Sequence, residues 1–179
     1  MDQCRREFKI LVTGSHGAGK TSIVGALGEH APVATEAANP ADPSGQATTT
    51  VGLDYAELSV AGRGRVRLFG TPGLQRFKFM RTILAAGAYG LIVLIDSRRG
   101  AALAELDHAI DSFDDLIARS AVVVGVTHRD EAPGLSIACL TAALGARSLH
   151  VPVLAIDGRK CGHARLLLET LLHSIETAG

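Results

Sequence analysis

With 179 residues, 47% of them hydrophobic, the chain is long enough for a single domain with a sizeable core. Its 18 basic and 18 acidic residues cancel to a formal net charge of zero, which disfavours nonspecific binding to nucleic acid or to an anionic membrane. Three scattered cysteines, Cys4, Cys139 and Cys161, lack metal-ligand spacing and read as reduced thiols of a cytoplasmic protein. No apolar run reaches the length of a membrane span. Met1-Asp2 is no myristoylation signal and Glu176 to Gly179 is no prenylation box, so membrane association is expected only through a partner.

In chain order, Phe8 to Thr13 reads as a buried strand and Ser22 to His30 as a helix. Between them runs Gly14-Ser15-His16-Gly17-Ala18-Gly19-Lys20-Thr21. Glycines at this spacing, followed by Lys and a hydroxyl residue between strand and helix, form a phosphate-binding loop. Its backbone N–H groups and the helix N-terminus would cradle phosphates. Lys20 would reach the outer phosphates, and the Thr21 hydroxyl would ligate Mg²⁺, with Ser22 completing the site's edge.

Ala31 to Thr50, with three prolines and Thr48-Thr49-Thr50, reads as a mobile functional loop. Val51 to Val60 and Arg65 to Phe69 follow as a hairpin turned at Ala61 to Gly64. Leu91 to Asp96, Ala121 to Thr127 and Val151 to Asp157 read as buried parallel strands, with Pro152 near the start of the last. Leu103, Leu106, Ile110, Phe113 and Ile117 recur at helical spacing. Ser136 is placed to cap a helix ending at Leu144, with Gly145 as its stop. Leu168, Leu171, Leu172 and Ile175 mark the inner face of a final helix. The alternation predicts an α/β sheet covered on both faces, with ligands at the carboxyl ends of its strands.

After the hairpin comes Leu68-Phe69-Gly70-Thr71-Pro72-Gly73-Leu74-Gln75-Arg76-Phe77. With the phosphate loop and the Thr-rich loop before it, this order resembles the Ras-like small GTPases of the P-loop NTPase superfamily. The nearest likeness is the prokaryotic branch whose third motif reads FGTPGQ-x-R-F, the roadblock-associated and gliding-protein-like GTPases. The resemblance implies a single G domain over 1–179 with a six-stranded, mostly parallel sheet. It implies a switch I loop at 31–50 and a switch II at 70–81, and binding of GTP and GDP with Mg²⁺. Thr50, in Thr50-Val51-Gly52-Leu53, matches the switch threonine that ligates Mg²⁺, with Thr48 and Thr49 as alternates; Gly73 matches the glycine whose N–H meets the γ-phosphate. Lys20, Thr50 and Gly73 are therefore the residues expected to act on the reacting phosphate.

Two positions depart from the pattern. Gly70 stands where most Ras-like proteins carry an Asp that supports Mg²⁺, and Leu74 stands where they carry the water-orienting Gln. Gln75 lies one position late and Arg76 is the nearest arginine that could act in cis, because Thr21 to Gly62 contains no Lys or Arg. Intrinsic hydrolysis is expected to be slow, no faster than the roughly 10⁻⁴ per second of unassisted relatives.

Thr127-His128-Arg129-Asp130 occupies the place of the guanine motif, with Asp130 accepting from guanine N1–H and N2–H₂, Thr127 in the Asn place and His128 in the Lys place. Ile156-Asp157-Gly158-Arg159 falls where the family's last loop closes over the base, with the Gly158 N–H toward guanine O6. Acidic residues between Thr21 and Gly62 and basic ones from Arg63 to Arg81 give the two switches opposite signs, with Phe77, Phe79 and Met80 beside the basic group. A regulator, of the roadblock type or another activator, and an effector are expected to read these segments. Three functions remain open on these residues: a slow GTPase switch, a nonhydrolysing GTP-held interaction module, and an ATP-dependent P-loop enzyme.

Overall fold

Alternating buried positions in apolar runs build the sheet, and helices cover both faces. The computed structural model describes residues 6–29, 54–71, 78–129 and 134–178. The elements are β1 (Glu7–Gly14), α1 (Lys20–Leu27), β2 (Asp54–Val60), β3 (Gly64–Gly70), α2 (Lys78–Ala85), β4 (Gly90–Asp96), α3 (Ala102–Ser112), α4 (Asp114–Ile117), β5 (Ala121–Thr127), α5 (Ile137–Ala146), β6 (Val153–Ala155) and α6 (Cys161–Ala178). They form an α/β structure with a six-stranded sheet in the order β2-β3-β1-β4-β5-β6. The β2–β3 hairpin is antiparallel and the other pairs are parallel.

Period-two alternation divides the core. Ile10, Val12, Ile92 and Leu94 face Ile23, Val24 and Leu27 of α1 and Leu167, Leu168 and Leu171 of α6. Leu11, Leu91, Val93 and Ile95 face the opposite layer of α2, α3, α4 and α5. Burying each such side chain stabilises the fold by about 1.5–3 kcal/mol. On β5, Gly125 lies under α6: a Cβ there would come 2.8 Å from Ile156 Cδ1 and 2.9 Å from Leu94 Cδ2. The chain leaves β1 through α1 toward β3 and β2, and leaves β3 through α2 toward β4 on the other side. This reversal at β1 opens a crevice at the carboxyl edge of the sheet.

Several predicted boundaries move. Helix α1 starts at Lys20, two residues before Ser22, because Gly19 takes the left-handed conformation that caps it. It stops before Gly28, whose neighbour Glu29 donates its N–H to Glu57 O at 3.1 Å and so turns the chain to the sheet edge. The predicted helix through Phe113 and Ile117 is broken at Phe113 (φ −130°), which packs inward while the backbone leaves helical geometry. Ser136 does cap helix α5, accepting from the Cys139 N–H at 3.1 Å, but the helix runs through Gly145 to Ala146. Strand β6 is shorter than Val151–Asp157, although Pro152 O and the Ile156 N–H still bond to β5.

The basic run beginning at Arg63 is partly neutralised inside the chain. Arg67 pairs with Glu57 and Glu7, each at 3.1 Å, Arg65 with Glu57 at 3.7 Å, and Arg63 with Glu169 and Glu176 of α6. The opposite signs read in the sequence thus serve in part to hold the hairpin to itself and to α6. Among the described residues no helix is long and apolar enough to cross a membrane.

Candidate functional site

The carboxyl end of β1 turns sharply into the loop 15–19. Gly14, Gly17 and Gly19 have φ of +152°, +81° and +95°, values that L side chains rarely adopt. At Gly14 the restriction is also spatial, since a Cβ would sit 2.4 Å from Leu94 O. The Ala18 N–H closes a turn on Ser15 O at 3.2 Å, and Ala18 is fully buried beneath the loop. His16 is exposed, and its carbonyl accepts from Arg99 at 3.3 Å. The Ser15 hydroxyl is buried and finds no hydrogen-bond partner among the described residues.

Lys20, Thr21 and Ser22 form the first turn of α1. The Lys20 ammonium folds back over the loop and donates to Gly14 O at 2.9 Å and Ser15 O at 2.7 Å. Burial lowers its pKa below the usual lysine value, against the pull of the Asp54 and Glu105 carboxylates, which raises it. Among the described residues no carboxylate makes an ion pair with it. A partly buried cation facing a ring of glycine backbone is a fitting host for an oxyanion.

Thr21 Oγ1 donates to Asp54 Oδ2 at 2.7 Å, an oxygen pair from α1 and β2 that sequence reading missed. Beside it, the end of β3 is tied to β1: the Thr71 N–H donates to Val12 O at 2.8 Å, and the Thr71 hydroxyl to Thr13 Oγ1 at 3.0 Å. Hard oxygen donors of this kind suit Mg²⁺. The described residues hold no cluster of three or more His, Cys, Asp or Glu groups, so phosphate oxygens and water would have to supply most of the ion's shell. Thr21 and Asp54 fit such an ion.

The remaining predicted residues come from the far side of the crevice. Thr127, at the end of β5, is buried, and its hydroxyl donates toward Ala18 O at 3.2 Å and Ile95 O at 3.3 Å, bracing the glycine-rich loop against two strands. His128 follows with φ +59°, and its Nε2 lies 3.4 Å from Gly17 O. Gly158 sits over the start of α1, where a Cβ would meet Ser22 Cβ at 3.5 Å. The Asp157 carboxylate is clamped by Arg159, through Nε at 2.9 Å, Nη2 at 3.2 Å and the backbone N–H at 3.0 Å. These bonds pull its pKa down to about 2. The Asp157 N–H donates to His163 Nδ1 at 2.9 Å, which fixes the loop to the first turn of α6.

Together these groups line a cavity of about 240 Å³, bounded by Gly17, Gly19, Thr127, His128, Asp157 and Gly158. That is below the roughly 300–1,000 Å³ of clefts that enclose a whole drug-sized ligand, and suits a single ring system beside the loop. Arg129 and Arg159, which stand in the two quoted segments without an assigned role, also reach it, as does His163. His163 had one available signal, its place in the first turn of the helix that follows the loop.

Thr50, Gly73 and Asp130 lie outside the described residues, as do Thr48, Thr49, Leu74, Gln75, Arg76 and Phe77. Lys78, Phe79, Met80 and Arg81 belong to the first turn of α2.

No protein-family model matches the chain. Among curated proteins it is similar to an uncharacterised protein of Methanocaldococcus jannaschii, with 30% identity over 97 residues. The match covers 52% of this chain and 54% of that protein, so the alignment spans about half of each.

Proposed function

We propose that the chain is a Ras-like guanine-nucleotide switch, which binds GTP and GDP with Mg²⁺ and hydrolyses GTP slowly. The observation that carries this reading is the loop 14–19, with three glycines at positive φ and the Lys20 ammonium 2.7–2.9 Å from its carbonyls. The 240 Å³ cavity supports it by joining that loop to the two segments read as base contacts.

In this reading the polyphosphate lies along the loop amides, and Lys20 exchanges carbonyl partners for phosphate oxygens. Mg²⁺, when bound with the nucleotide, supplies charge neutralisation, and Thr21 and Thr50 would hold it. Lys20 and the loop N–H groups stabilise the negative charge that grows as water attacks the γ-phosphate in line. Thr127 keeps the loop in register with β5. Asp130 distinguishes guanine from adenine through its donor pair. Thr50 and the Gly73 N–H would order both switches in the presence of the γ-phosphate and release them after its loss. A regulator and an effector would read that difference.

Leu74 in place of the water-orienting Gln favours a second reading, a module held in the GTP state without turnover. The experiment is to identify the nucleotide that copurifies with the full chain and follow its γ-phosphate over hours with Mg²⁺. Bound GDP or GTP with slow phosphate release supports the switch, and bound GTP without release supports the held module. Calorimetry that detects no binding of guanine or adenine nucleotides sinks both, while binding of adenine nucleotides with phosphoryl transfer to a second substrate would replace both with an ATP-dependent enzyme.

A further inference from the structure

The antiparallel register of β2 and β3 sets Asp54 directly opposite Gly70. The two share a face with the Ala56–Leu68 and Leu58–Val66 pairs, whose side chains enter the core under α1. Asp54 is the point at which that face emerges at the carboxyl edge of the sheet. A Cβ at Gly70 would lie 2.8 Å from Asp54 Cβ and 3.1 Å from its Oδ2. The volume in front of position 70 is therefore filled by a carboxylate, delivered from the neighbouring strand.

That carboxylate is already engaged with the phosphate-loop helix. Thr21 Oγ1 donates its proton to Asp54 Oδ2, which leaves the hydroxyl lone pairs for a cation. Partners of this kind orient a metal's ligands and hold their protons in place. The absence of a carboxylate at 70 and the presence of one at 54 are two halves of one arrangement, because both cannot occupy the space.

We propose that Asp54 takes over the Mg²⁺-supporting role vacated at Gly70, by orienting the Thr21 hydroxyl and offering its second oxygen to the outer shell of the ion that accompanies the nucleotide. Asp54 is a positioning residue in this scheme, acting through Thr21. The proposal rests on the nucleotide reading above.

The test measures release of a fluorescent GDP analogue from the full chain, in MgCl₂ and in excess EDTA, alongside Mn²⁺ binding followed by electron paramagnetic resonance. Unaltered protein should release the analogue more slowly in MgCl₂. Asp54→Asn should lose most of this metal response and bind Mn²⁺ about 10–100-fold more weakly in the presence of nucleotide, with release in EDTA unchanged. The exchange Asp54→Gly with Gly70→Asp, which moves the carboxylate across the ladder into freed space, should restore the metal response. Gly70→Asp alone should weaken the metal response, since it crowds Asp54. An Asp54→Asn protein that keeps the full metal response, or an exchanged pair that regains nothing, overturns the proposal and leaves the nucleotide reading standing. No binding of the analogue by unaltered protein in either buffer overturns the nucleotide reading, and the role of Asp54 falls with it.

Discussion

The two sides of the crevice are built by different means. On the β1 side the geometry comes from backbone: three glycines at positive φ, a helix start, and one ammonium resting on carbonyls. Among the described residues the Ser15 hydroxyl there has no partner, and the Lys20 ammonium rests on carbonyls alone, without an ion-paired carboxylate. On the β5–β6 side the geometry comes from side chains already partnered within the chain: Thr127 on two carbonyls, Asp157 in the fork of Arg159, His163 on the Asp157 N–H. On the reading proposed above, the first region receives a charged ligand and the second supplies a fixed wall.

Substitutions can break that comparison. The largest expected effect is Gly14→Ala, which combines left-handed strain with a 2.4 Å approach to Leu94 O and should cost roughly 2–5 kcal/mol in a urea unfolding curve. Gly17→Ala, where a Cβ meets nothing within 4 Å, should cost only about 1–2 kcal/mol. Equal losses at the two positions would deny the packing role of Gly14. On the proposed nucleotide reading, Lys20→Met should weaken binding by roughly 100-fold, about 2.7 kcal/mol, measured by calorimetry. Thr127→Val keeps the shape but removes the brace on Ala18 O and Ile95 O, and should lower stability by about 1–2 kcal/mol. If it instead left stability unchanged and altered base preference, the wall would be a reader.

The smallest effect tests the wall by titration. The Asp157 carboxylate should titrate near pH 2 in the folded chain by NMR, and Arg159→Ala should return it toward the ordinary value of about 3.9. Because the folded pKa is depressed, this group's contribution to stability is full above about pH 4 and is lost as the pH falls toward 2. The Arg159 half of the clamp is solvent-exposed, so its effect near pH 7 should be slight.

The strands were legible because each is an apolar run with its own alternation or length, and β5 lies at Ala121–Thr127 as its letters suggest. The break at Phe113 was not legible, since Ile110, Phe113 and Ile117 keep helical spacing on either side of a change confined to backbone angles. Gly145 misled because a single glycine costs a helix only about 1 kcal/mol, less than the packing of Leu140 and Leu144 returns. In the site, the glycine-and-lysine loop carried its own signature. The Asp54–Gly70 opposition did not, because it exists only once two strands have chosen their register.

The sheet has two outer rims, and each is blunted in its own way. At one rim β6 is only three residues long and is preceded by Pro152, which has no N–H to offer an incoming chain. At the other, Glu57 on β2 is locked to Arg65 and Arg67 of β3, so an approaching apolar strand would meet a ladder of ions. Both rims of the described sheet thus offer little for the strand of a second copy to pair with, which matters in a chain whose formal net charge of zero does not keep copies apart.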